Sequence, residues 1–283
     1  MDGTRFKPEA NRHATTNGAA RLVFRRDGSR TRVSSLEQRH PLRVLFPDSP
    51  DEGIGLAVLA NVSGGIVGGD RLECMAALEP GASVMITTQA AEKVYRSTGA
   101  TATIDNGLSV GDQAWLEWLP HETILFDRSR LVRNIRIDVA ASGGLLAGEI
   151  IVFGRAEHGE RLSQCYLRDQ WEIRQCGRLT WCDTLCLEGD IGGELAHAMR
   201  FGGARAYGTL IYLGTDAAAM LELTRGQIDE CGESAATRIG NLMIVRFLSA
   251  STSRLRQAYG ALWARLRSRA AGLPARLPRI WAI

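Results

Sequence analysis

Four glycines fall within six positions in SGGIVGGD, residues 63–70, and a carboxylate follows them at Asp70. Glycine lets a backbone turn through positive φ and lets another group approach closely. A phosphate cradle is one use of such a run, and Gly64 and Gly69 have P-loop spacing. Asp70 stands where the loop's lysine belongs, however, and Arg71 where a Ser or Thr would meet magnesium. A carboxylate there repels phosphate, and no G-x-G-x-x-G motif opens a helix in the segment. Ser63 lies outside any G-x-S-x-G elbow, and none of the five histidines is set beside a nucleophile by a motif. Two uses remain open. The run is a tight crossing between strands with Asp70 bonding its own turn, or it holds a carboxylate against bare backbone beside the polar TTQAAEK segment.

The elements that position these residues read as strands. Leu72, Cys74, Ala76 and Leu78 alternate with polar or small residues, and Val84, Ile86 and Thr88 do so again after the turn EPGA. That pattern predicts a hairpin of the two runs. Asn106-Gly107 predicts a second, through a type I′ turn. AWLEWL, LVRNIRIDVA, LLAGEIIVFG, RLSQCYLR, WEIRQC, LTWCDTLCL, GTLIYLG and NLMIVRFLS follow as short strands. DAAAMLELTRGQIDE holds one short helix. A longer helix starts at Ser251–Ser253, puts Leu255, Tyr259, Leu262 and Leu266 on one face with most arginines elsewhere, and stops at Gly272 and Pro274. No repeat or linker divides the 283 residues, which read as one β-dominated domain, 1–283.

Composition narrows the class. Hydrophobic residues make up 45% and charged residues 23%, the balance of a globular chain. The N-terminus has no apolar core of a secretory signal, and no apolar run is long enough to span a membrane; LLAGEIIVFG comes nearest and is broken by Glu149. The sequon at Asn61 therefore carries no weight. Cys74, Cys165, Cys176, Cys182, Cys186 and Cys231 form no C-x-x-C pair and no zinc spacing, and are expected as reduced, small core fillers. Charge is segregated. Residues 251–283 carry seven arginines and no acid, while residues 51–250 carry 17 basic and 26 acidic residues. An acidic body with basic ends does not make a nucleic-acid surface and suits docking onto partners.

Longer segments settle what spacing leaves open. SGGIVGGDRL…GASVMITTQAAEKVYRS resembles the signature of the UreD family (UreH in some bacteria) of urease accessory proteins. LEWLPHETILFDRSRLVRNIRIDV is similar to the family's next block, and FGRAEHGE to its third, at Gly154, Arg155, Gly159 and Glu160. DTLCLEGD and LPARLPRIW also resemble family segments, so the likeness runs from about residue 20 to the C-terminus, leaving the first 20 residues as an expected disordered segment.

The resemblance implies a mainly β fold of stacked strands in a helical, β-helix-like arrangement, with about two α-helices, one near the C-terminus. It implies no enzyme and no tightly bound cofactor. It implies a cytoplasmic scaffold that assembles with the UreF accessory protein directly, with the UreG GTPase through the complex, and with the urease apoprotein, in a dimer of such heteromeric units. Neither nucleic acid nor membrane is a partner. The complex conducts nickel transiently, and a conduit needs oxygen ligands in incomplete shells so that the ion can leave. Asp70, Glu122 and Glu160 are the matched carboxylates, with Thr87, Thr88 and Gln89 as neutral oxygens. Gly64, Gly65, Gly68, Gly69, Lys93, Tyr95, Arg96, Pro120, Arg155 and Gly159 are signature positions that shape the segment. Glu92 departs from the small polar residue of the signature, and His121 and His158 are expected at the surface. Two other classes use the same residues: a lyase or glycosidase pairing Asp70 with Glu122 or Glu160, and an RNA-binding module using the C-terminal arginines.

Overall fold

The computed structural model describes residues 15–48, 53–155, 159–228 and 234–282. It opens with β1 (Asn17–Asp27), β2 (Arg30–Arg39), β3 (Leu42–Leu45) and β4 (Gly55–Asn61). The glycine run leads into β5 (Arg71–Leu78), followed by β6 (Ser83–Thr88), β7 (Glu92–Val94), β8 (Ala102–Val110), β9 (Trp115–Leu119) and β10 (Thr123–Leu125). Then come β11 (Arg130–Val139), β12 (Gly144–Phe153), β13 (Gln164–Gln175) and β14 (Arg178–Asp190), and the helix α1 (Ile191–Ala196). The chain ends through β15 (Ala206–Leu213), α2 (Ala217–Ile228), β16 (Ser234–Ile239), β17 (Leu242–Ser249) and α3 (Thr252–Ala271).

Seven strands form one sheet in the order β14-β13-β11-β8-β5-β1-β2, and ten belong to a second that runs β16-β17-β15-β12-β9-β6-β4-β3 with β7 and β10 beside it. From β4 to β13 the chain alternates between the two, so strands stack coil on coil in about four solenoid-like turns. The ladders between coils are parallel and in register: Leu72 stands beside Ile104, Ile104 beside Arg133, and Arg133 beside Asp169. This bears out the stacked, β-helix-like expectation, with three helices among the described residues rather than two.

Both expected hairpins are overturned. β5 pairs with β1 and β8, whereas β6 pairs with β4 and β9 in the other sheet. The EPGA turn thus carries the chain around a corner instead of back along itself. Asn106-Gly107 lies in the middle of β8, where a Cβ on Gly107 would meet the Met75 sulfur of β5. RLSQCYLR and WEIRQC fuse, from Gln164, into the single strand β13. β1 starts at Asn17, inside the stretch expected to be disordered, and residues 1–14 lie outside the described residues.

The space between the sheets is filled by the predicted alternation, with Leu72, Cys74, Ala76 and Leu78 each at 5% exposure or less. Each fully buried leucine contributes about 1.5–3 kcal/mol. The outer face of the ten-stranded sheet is covered by α2 and α3. Ser251 caps α3 by accepting the Arg254 N–H at 3.4 Å, and Gly272 ends it in the left-handed conformation at φ 65°. Leu255, Tyr259, Leu262 and Leu266 are buried as expected. Arg267 is buried beside them at 1% exposure, the exception among the arginines of this helix, of which Arg254, Arg265 and Arg269 are exposed.

Candidate functional site

Asp70 ends the glycine run at 2% exposure. Its Oδ1 accepts the Thr16 N–H at 2.8 Å and its Oδ2 the Val67 N–H at 2.9 Å, so both oxygens are held by backbone. The run itself crosses β7: Ile66 N–H donates to Lys93 O at 2.7 Å and Tyr95 N–H to Ile66 O at 2.8 Å. A Cβ on Gly65 would strike the Tyr95 ring, and one on Gly68 would strike Ser97 and the Ala100 carbonyl. The glycines thus permit contact with a neighbouring strand, which the Tyr95 hydroxyl reinforces by donating to Gly64 O at 3.0 Å.

The other sequence-selected residues lie apart. Glu122 is buried and bound by Arg256 of α3 at 3.0 Å. Glu160 pairs with Arg155 at 2.9 Å on the surface beyond β12, where Gly159 turns at φ 73°. Thr87 is buried on the helix side of β6, its hydroxyl without a hydrogen-bond partner among the described residues. Thr88 points between the sheets, while Gln89, Lys93 and Arg96 are exposed. His121 is buried, which overturns its expected surface position; His158 lies outside the described residues. His121 Nε2 donates to Ile280 O at 3.0 Å, leaving Nδ1 toward Thr88 Oγ1 at 3.3 Å. Burial lowers its pKa and keeps it neutral. Of the cysteines, Cys74 and Cys165 fill the core, with burial pushing both thiols up to about 12. Cys176, Cys182 and Cys186 are exposed and correct the core-filler expectation, and Cys231 lies outside the described residues. Among the described residues no three His, Cys, Asp or Glu side chains are grouped to hold a metal.

What the fold does bring together is a small cavity of about 60 Å³ between the sheets, with a largely apolar lining into which several polar side chains are set. Thr88, Glu92, Pro120 and His121 border it from one side, Asn106, Arg133 and Glu149 from deeper in. Burial raises Glu92 to about 7 against the pull of the Asn61 amide, which donates to its Oε1 at 3.1 Å, and the charge of Asp70 adds to the rise. Deeper, Arg133 pairs with Glu149 and, at 2.8 Å, with Asp169, and donates to Thr123 Oγ1 at 2.8 Å. Burial lifts the Glu149 pKa, and one guanidinium shared by two carboxylates cannot offset both charges. Spacing alone did not single out Glu92, Arg133 or Glu149 as a site. A signal was present: an acid inside the apolar run of β12, and an arginine on the inward parity of β11 between Leu131 and Ile135, must find partners in the core.

The family model described as UreD urease accessory protein matches residues 16–282. The chain belongs to the UreD family. It is 42% identical over 281 residues to the urease accessory protein UreD of Magnetococcus marinus, covering 97% of each chain. It is 41% identical over 273 residues to UreD 2 of Methylorubrum populi, covering 94% of this chain and 90% of that one. UreD 3 of a Bradyrhizobium strain is 39% identical, with 96% and 95% covered. No helix among the described residues is long and apolar enough to cross a membrane.

Proposed function

We propose that this chain is a non-catalytic, cytoplasmic accessory protein of urease maturation, a scaffold that assembles with UreF-type and UreG-type proteins on apo-urease and conducts nickel toward its active site. Membership of the UreD family over nearly the whole chain carries this reading. The nucleotide step belongs to the GTPase partner, which fits a glycine run engaged with its own neighbouring strand.

The acids bordering the cavity between the sheets support the nickel half of the proposal. Nickel is cargo here, so a waypoint must bind it and release it. Glu92, titrating near neutrality, gives up its proton readily to an arriving cation. Arg133 is shared by Glu149 and Asp169, and burial keeps a proton on Glu149 to about pH 8, which an arriving cation would displace. Thr88 and Asn106 add neutral oxygens to the same space. Asp70 acts on this route through its charge on Glu92, while Glu122 and Glu160, each paired with an arginine, stand at other positions along it.

The test is urease activity per assembled complex across a nickel series. Glu92→Gln keeps the shape and removes the charge, so activation falls at limiting nickel and recovers partly as nickel rises by mass action. Activation equal to wild type at the lowest nickel sinks the route through this cavity.

A further inference from the structure

His121, in the turn between β9 and β10, borders the cavity between the sheets together with Thr88, Glu92 and Pro120. Those three are partly exposed and His121 is buried, so its ring stands just inside the solvent side of the cavity. A backbone carbonyl can only accept, so the 3.0 Å contact of His121 Nε2 with Ile280 O puts the ring proton on Nε2. A neutral imidazole carries one such proton, and Nδ1 keeps its lone pair. Burial is the largest influence on the ring and lowers its pKa. The Ile280 and Thr88 carbonyls and Glu122 oppose that fall, and Arg256 adds to it.

Nδ1 lies 3.3 Å from Thr88 Oγ1. That oxygen accepts the His121 backbone N–H at 2.8 Å, and its own proton has a second acceptor in Ala90 O at 3.1 Å. An ion that takes Nδ1 therefore strands no donor. The Ile280 carbonyl is itself held in place by the next residue. The Trp281 ring lies 5.7 Å from the His121 ring and stacks on Tyr259 of α3 at 6.0 Å, and its carbonyl accepts from Arg256. A histidine whose far nitrogen donates to a backbone carbonyl has its tautomer and orientation fixed for a metal at the other nitrogen.

Given the interior nickel route, on which this rests, we propose that His121 is a nickel ligand at the mouth of the cavity, offering Nδ1 to the ion beside the Glu92 carboxylate, with the Ile280 carbonyl as the positioning group that keeps this nitrogen free. The nitrogen supplies selectivity. Carboxylate and hydroxyl oxygens alone suit magnesium as well, whereas imidazole favours nickel. Two protein ligands with water in the remaining positions hold the ion weakly enough to pass it on. Among the described residues no third His, Cys, Asp or Glu completes the set, and the cavity leaves room for water beside the ion.

Glutamine carries an amide N–H near the place of Nε2 and nothing basic at Nδ1, so His121→Gln keeps the tether to Ile280 and removes the ligand. The full-length chain is co-expressed with the UreF-type and UreG-type proteins and apo-urease, as wild type, His121→Gln and Glu92→Gln. Urease activity per assembled complex is then read across a nickel series, with and without excess magnesium. In His121→Gln the nickel needed for half-activation rises about tenfold or more. Magnesium, nearly without effect on wild type, lowers activation further in this variant. A wild-type response of the His121→Gln complex to both ions overturns the proposal and makes the ring a strut for the C-terminal segment. If Glu92→Gln is impaired in that case, the interior route still stands; if it is silent too, the route falls as well. A second measurement needs no urease and decides the matter where His121→Gln does not assemble. In the ¹⁵N-histidine-labelled full-length chain, the signals missing from His121→Gln or His121→Asn show a protonated Nε2 and a bare Nδ1, and added Ni²⁺ broadens them whereas Mg²⁺ does not. A protonated Nδ1, or signals that nickel leaves sharp, overturns the proposal.

Discussion

Two charge clusters are buried on opposite faces of the ten-stranded sheet, and they are built differently. On the helix side Glu117, at 0% exposure, accepts from Arg267 Nε at 3.1 Å, Trp263 Nε1 at 2.9 Å and Trp115 Nε1 at 3.1 Å. One negative charge meets one positive charge, and two indoles occupy the remaining oxygen positions. Between the sheets, Glu149 and Asp169 share the single Arg133 beside a cavity that Glu92 also borders. The first cluster is closed and joins α3 to the sheet. The second shares one cation between two acids, and burial keeps a proton on Glu149 next to open space. Completeness of the hydrogen-bond shell, more than burial, distinguishes the two clusters.

The largest effect comes from opening the closed cluster. Arg267→Met leaves Glu117 buried without its cation, and removing one partner of such a pair costs about 3–5 kcal/mol. The variant is expected to lose soluble folded protein, or to unfold at far lower urea; an unchanged midpoint would mean that the two indoles suffice for Glu117.

Asp70 resembles Glu117 in having both oxygens filled, here by backbone N–H groups. Asp70→Asn turns one acceptor into an NH₂ group facing a donor. An unsatisfied buried group of this kind costs about 1–3 kcal/mol, read from the unfolding free energy. A silent Asp70→Asn would place Asp70 with the open cluster instead.

A third test sharpens the contrast through pH. Glu92 titrates near 7 in the folded chain and in the ordinary carboxylate range once unfolded. The folded state therefore holds a proton that the unfolded chain releases. The stability from this group is full at low pH, falls as pH rises from the carboxylate range to about 7, and is level above that. Urea midpoints of wild type and Glu92→Gln, compared at about pH 5 and pH 8, should differ in slope, with the variant flatter; parallel slopes would return Glu92 to the ordinary range.

Alternation of apolar residues, the capped helix from Ser251 to Gly272 and the inward parity of Arg133 are local properties, and the sequence by itself determines them. The same holds for family membership, written in long contiguous segments. Strand pairing was a matter for the tertiary structure. EPGA and Asn106-Gly107 carry the chemistry of hairpin turns, yet the chain turns a corner at one and runs straight through the other. Each strand's partners are the strands of neighbouring coils, and no short-range signal specifies them. The candidate site divides in the same way. Asp70, Thr88 and the glycines could be found from their segment, whereas the shared parity of Cys182 and Cys186 on β14 leaves open which face meets water. Arg267 against Glu117, His121 against the Ile280 carbonyl and Glu149 against Arg133 required the fold. A side chain's charge is written in the sequence, but whether a counter-charge reaches it depends on how separate strands and helices close around it.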